Sequence, residues 1–161
     1  MSFLRLLSLA FVLVACEGSS SLVEGATIGD TLDAAGTQRV TLLAAEVGLG
    51  GDESRPPREG SVYASFLFRI ESLSPGARYD RFGFSAADPE GVAYPYTAGG
   101  RQPALDSNRM LPTGEIVEGW VSFEVPDDFD SLAVSYEPPF SPAGESITFM
   151  VRAPEAAGSG G

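Results

Sequence analysis

Few residues in this chain could do chemistry. Cys16 is the only cysteine among 161 residues, there is no histidine, and all 10 basic residues are arginines. Without histidine neither a Ser-His-Asp triad nor a histidine metal site can be assembled. Without lysine there is no Schiff base and no lysine to close a phosphate-cradling loop. The 22 acids leave one enzymatic option, a carboxylate pair of the glycosidase kind, but no spacing singles out a pair. Asp127-Asp128-Phe129-Asp130 is the densest acidic run. Carboxylates on a loop suit calcium, yet this run lacks calcium-loop spacing, and a solvated turn after Pro126 explains it better. Gly48-Leu49-Gly50-Gly51 and Gly99-Gly100 are loop glycines outside any strand–loop–helix context. Trp120 and Arg101 form a candidate binding surface, because Trp120 points opposite to Val121 and Phe123. A partner or a sugar could use such a tryptophan, and a covering loop could equally bury it. Arg55-Pro56-Pro57-Arg58 reads as a stiff loop tip rather than a proline-rich ligand.

Cys16 is better placed for acylation than for catalysis. Arg5 lies in a basic start, Leu6 to Val14 is an apolar run, and Leu13-Val14-Ala15-Cys16 closes it. A charged start, a short apolar stretch and small residues at a cleavage point mark an export signal. The tetrapeptide resembles a bacterial lipobox, in which the signal is cut before a cysteine carrying diacylglycerol. The apolar run is much shorter than the ~20 residues a spanning helix needs. Glu17-Gly18-Ser19-Ser20-Ser21 follows at once and reads as a tether, which argues against a buried thiol on a core element. The expected organisation is a signal at 1–15, a lipidated Cys16 and tether at 16–25, one domain at 26–152 and a disordered tail at 153–161. Each buried methylene of an acyl chain contributes about 0.8 kcal/mol, so two or three chains anchor stably.

Composition narrows the partners. The hydrophobic fraction of 43% supports an ordinary core, and the net charge is −12. So acidic a body repels nucleic acid, whose binding depends on basic residues neutralising phosphates. It also repels anionic head groups, leaving the lipid on Cys16 as the expected link to the membrane. Basic partners would be attracted, although solubility alone accounts for the charge. With its single cysteine acylated, the mature chain has no internal disulfide and depends on its core.

That core is written as period-two alternation. Every even position from Val62 to Ile70 is apolar, and from Val117 to Val125 the odd positions face inward while Glu118, Trp120, Ser122 and Glu124 face out. Leu132, Val134 and Tyr136 form a third face, and Ile147, Phe149 and Val151 a fourth. Ile28 to Leu32 reads as a short first strand. Arg39 to Val47 is a strand whose alternation slips near Ala44-Ala45, as a bulge would cause. Phe82, Phe84 and Ala86 alternate up to Asp88-Pro89-Glu90-Gly91, a type I turn by residue type, and Val92, Tyr94 and Tyr96 return as a hairpin. Twelve prolines and nineteen glycines cut the chain into short strands. The expected fold is all-β, an antiparallel immunoglobulin-like β-sandwich of about seven to eight strands. Two longer loops, Gly48 to Gly60 and Thr97 to Pro112, remain.

Leu111-Pro112-Thr113-Gly114-Glu115, then Gly119-Trp120-Val121-Ser122-Phe123-Glu124-Val125-Pro126, then Leu132 to Tyr136, resemble a recurring bacterial pattern. Its family comprises exported, often lipid-anchored domains of unknown function, related to a secreted mycobacterial immunogenic protein. The resemblance spans about residues 26–152 and implies an immunoglobulin-like sandwich. Where the family often ends its long strand in asparagines, this chain has Glu71-Ser72-Leu73. The resemblance implies no activity, since sandwiches host many functions.

These observations lead to an expectation of a lipid-anchored, extracytoplasmic module. It would bind a protein or small ligand without catalysis or cofactor. A structural envelope-homeostasis subunit is the alternative, and a carboxylate hydrolase a more remote one. A cleft holding two acids would favour the hydrolase, and an exposed patch including Trp120 would favour binding.

Overall fold

The computed structural model describes residues 26–48, 50, 55–141 and 145–153. Cys16, the expected signal and tether, and residues 154–161 of the expected tail lie outside them. Among the described residues ten strands are formed: β1 (Thr31–Ala34), β2 (Gln38–Gly48), β3 (Ser61–Ser72), β4 (Ala77–Tyr79), β5 (Phe84–Ala87), β6 (Ala93–Thr97), β7 (Arg109–Leu111), β8 (Ile116–Pro126), β9 (Ser131–Tyr136) and β10 (Ile147–Arg152). Eight of them run in the order β1-β2-β3-β8-β6-β5-β9-β10, and β4 and β7 form a separate ribbon. All strand pairings are antiparallel.

The sheet doubles back at β6. Ala93 to Pro95 pair with β5, while Tyr96 and Thr97 pair with β8. This change of partner makes two layers, β1-β2-β3-β8 and β5-β9-β10. The open side is stitched where the Met150 N–H donates to the Ala26 carbonyl at 2.8 Å. The alternating faces meet between the layers. Phe66, Phe68, Ile70, Val121, Phe123, Leu132, Val134 and Phe149 are all buried. Phe68 from one layer meets Phe84 and Phe149 of the other at centroid distances of 4.6 and 5.6 Å. Removing such a ring costs about 3–5 kcal/mol in a core of this kind. The Tyr136 hydroxyl donates to Gln38 Oε1 at 2.9 Å, satisfying a buried polar pair across the layers.

The slip in β2 is a bulge. Leu42 pairs with Phe68 and Ala44 with Leu67, so Leu43 is the extra residue. Other expectations need correction. The first strand begins at Thr31, and Ile28 is 51% exposed. The sandwich itself has the eight strands expected, and the ribbon β4–β7 is an addition to it, because three-residue strands carry too little alternation to be read. Phe82 is not in the hairpin. It lies in a 3₁₀ turn, Arg81–Gly83, whose cap Asp80 accepts the Phe82 N–H at 3.0 Å. The Asp88 turn forms as read, with Gly91 N–H donating to the Asp88 carbonyl at 3.0 Å, but Val92 stays exposed.

The strands give the molecule two ends. Gln38 beside Ser72, Glu71 beside Ile116, and Phe84 beside Tyr136 mark one. Ser61 beside Pro126, Ala87 beside Ala93, and Ser131 beside Arg152 mark the other. The second, acidic end carries Glu59, Glu90, Asp127, Asp128 and Asp130 on the surface. Ala153 donates to the Asp130 carbonyl there at 2.8 Å, and Ala26 joins β10 in that half, at Met150.

Candidate functional site

The outer face of β3 and β8 positions Trp120 and Arg101. Across it Tyr63 pairs with Glu124, Ser65 with Ser122, Leu67 with Trp120 and Arg69 with Glu118. The segment after β6 follows this face. The Trp120 N–H donates to the Pro103 carbonyl at 3.0 Å, and the Leu105 N–H donates to the Trp120 carbonyl at 2.9 Å. Leu105 thereby fills an edge position that β6 leaves open, and its side chain is buried. Glycine makes this approach possible at two points. A methyl group at Gly119 would strike the Leu105 backbone, and one at Gly100 would strike the Ser65 and Ser122 hydroxyls.

Arg101 closes the face. Its backbone N–H donates to Ser65 Oγ at 3.3 Å, its Nε meets Glu46 Oε2 at 2.5 Å, and its guanidinium lies 5.8 Å from the Trp120 ring centroid. The hydrogen bond to Glu46 holds the Arg101 guanidinium above its ordinary pKa. The structure therefore brings Arg101 and Trp120 together and leaves Trp120 half-buried. Beside them is a small polar hollow of about 220 Å³ lined by Glu46, Tyr63, Ser65 and Arg101 among others. The Ser65 and Ser122 hydroxyls bond each other at 2.8 Å, an arrangement that satisfies two buried groups without activating either. At the rim, Arg58 donates to Glu124 through both its backbone N–H and its Nε, at 2.9 and 2.7 Å. These bonds hold the Glu124 carboxyl below its ordinary pKa.

The calcium reading finds no such grouping. Among the described residues no three histidines, cysteines or acids come together as a metal site. Asp127, Asp128 and Asp130 are spread around a turn. Phe129 points inward onto the core, and the Asp130 carbonyl is taken by Ala153.

A second surface lies at the end away from Ala153. Phe82 is 64% and Phe140 is 88% exposed. Asp80 holds the turn that lifts Phe82 out, and Arg81 lies 5.3 Å from the Phe82 centroid and 5.2 Å from Tyr96. Phe82 and Tyr96 meet edge-on at 5.4 Å. Pro138 and Pro139 end β9, and Ser141 N–H closes a turn on the Pro138 carbonyl at 3.1 Å. Phe140 occupies that turn at φ +63°, the left-handed region that glycine favours, at a cost of roughly 1–2 kcal/mol for a side-chain residue. Arg78 lies 5.8 Å from its ring and donates to Asn108 Oδ1 at 2.9 Å. Between Phe82 and Phe140 runs an open groove of about 440 Å³. Sequence reasoning missed this surface. Phe82 satisfied the alternation of Phe84 and Ala86, and only Asp80 as a cap signalled otherwise.

No protein-family model matches this sequence, and no curated protein matches it. Solved structures do. The ycdA protein of Bacillus subtilis, described as a candidate lipoprotein, superposes with a TM-score of 0.63 at 12% identity. That match covers 74% of this chain but only 38% of the ycdA chain. The yjhA protein of the same organism matches with a TM-score of 0.61 at 17% identity, over 79% of this chain and 98% of the other. The secreted protein MPT63 of Mycobacterium tuberculosis gives 0.58 at 15% identity, over 84% and 100%. At these identities the likeness is one of fold: the chain is a β-sandwich of the kind found in these proteins, as the sequence pattern implied.

Proposed function

We propose that this protein is a lipid-anchored, extracytoplasmic β-sandwich that works by binding another protein, without catalysis. One observation carries the reading. The end bearing Phe82 and Phe140 lies opposite the end where Ala153 sits, and Ala26 enters from the latter half. A chain tethered through Cys16 would present these two rings away from the membrane. Exposed aromatics framed by loops on a rigid sandwich make effective contacts, because they contribute large area at small entropic cost. The description of ycdA as a candidate lipoprotein and of MPT63 as secreted supports an extracytoplasmic setting.

The test compares tagged wild-type chain with a Phe82→Ser/Phe140→Ser variant, each recovered from solubilised envelopes. The rings are exposed, so both chains should fold alike, and a protein retained by the first should be lost from the second. Identical retention by the two would contradict the reading. Fatty-acid labelling present in wild type and absent in Cys16→Ala tests the anchor.

A further inference from the structure

We infer that the groove between Phe82 and Phe140 receives a basic, apolar-flanked segment of a partner protein, with an arginine or lysine side chain entering between the rings. The inference rests on the binding role proposed above and adds the partner's chemistry. Asp80 and Glu137 line the groove and no basic residue does. Among the described residues neither carboxylate has an arginine within ion-pair distance, although Arg39, Arg58, Arg69, Arg101 and Arg109 all reach acids elsewhere. Asp80 spends one oxygen on the Phe82 N–H. Arg78 and Arg81 lie near the rings but are held by Asn108 and by the Leu105 carbonyl, and neither lines the groove.

Two unpaired carboxylates set between two exposed rings match the chemistry of a cationic side chain. Its methylene stem packs on apolar surface, its head meets a carboxylate, and the ring face that Arg78 or Arg81 leaves open attracts the charge. A neutral apolar segment would desolvate the carboxylates without compensation, and an acidic one would be repelled. The net charge of −12 adds long-range attraction for a basic partner.

The experiment uses the full chain, purified in detergent, and a fluorescent peptide of alternating arginine and leucine. A second peptide carries citrulline in place of arginine. Anisotropy should show binding of the first peptide. Affinity should fall roughly tenfold for the citrulline peptide, for Phe140→Ser and for Glu137→Gln. Glu90→Gln, at the acidic end, removes the same charge and should leave affinity within about twofold. Equal binding of both peptides, an equal loss in Glu90→Gln, or no binding would overturn the inference. So would sedimentation showing a dimer that Phe140→Ser dissociates, since a second copy would then fill the groove. If envelope capture depends on the rings while the arginine peptide fails, the partner chemistry is wrong and the binding role stands.

Discussion

At the scale of single residues, the same side-chain type does different work according to its support. Phe123 is fully buried, and Phe123→Ala should cost about 3–5 kcal/mol in urea titration. Trp120 is half-buried beneath Arg101, so Trp120→Ala should cost roughly 1–2 kcal/mol, from lost packing and ring–cation attraction. An unchanged urea midpoint would show that the stacked pair contributes nothing to the fold. Two tyrosines couple stability to alkaline pH. The Tyr94 hydroxyl donates to Asp88 Oδ2 at 2.8 Å, and this bond pushes its pKa up to about 12. Burial pushes Tyr136 up as well. A phenol with a raised folded-state pKa contributes stability that is complete below its unfolded value, near 10, and is lost as pH rises through the folded value. Stability should therefore decline above about pH 10, and Tyr94→Phe should flatten part of that decline. A decline of the same size in Tyr94→Phe would remove Tyr94 from the account.

At the scale of elements, segment 98–107 is held to β8 by close approach rather than by side-chain bulk. Gly100→Ala would press a methyl onto Ser65 and Ser122, costing about 1–3 kcal/mol by overpacking. Hydrogen exchange should then accelerate at Leu105, whose N–H donates to the Trp120 carbonyl, and at Trp120, whose N–H donates to the Pro103 carbonyl, more than at the β9–β10 pair. The long strands were legible because alternation reports a buried face directly: Val62 to Ile70 and Val117 to Val125 carry it over many residues. The bulge was legible for the same reason, as a break in that period. The aromatic end was not, because its causes are local or distant rather than periodic. Asp80 turns the chain before β5, a left-handed Phe140 follows two prolines, and Arg81 finds Tyr96 only through the fold. Arg101 and Trp120 do lie together, but the contact of the guanidinium with the ring and the bond to Glu46 depend on β2, far away in sequence, and no local pattern signals them.

At the scale of the whole molecule, the two ends differ in their exposed rings. Glu59, Glu90, Asp127, Asp128 and Asp130 mark the end where Ala153 lies, whereas Phe82 and Phe140, beside Asp80 and Glu137, mark the opposite end. A tether at the acidic half would keep that end near a membrane that repels it, favouring a body that stands away from the surface. The central proposal is that the aromatic end is the contact surface of a chain anchored through Cys16. The most direct measurement places a photo-crosslinking residue in living cells at position 140 or, as the matched control, at position 92, where Val92 is also 52% exposed but lies beside the Asp88 turn. The account predicts a discrete protein adduct from position 140, none from position 92, and loss of the adduct when Cys16→Ala removes the anchor. Equal adducts from both positions, or an adduct from position 92 alone, would contradict it.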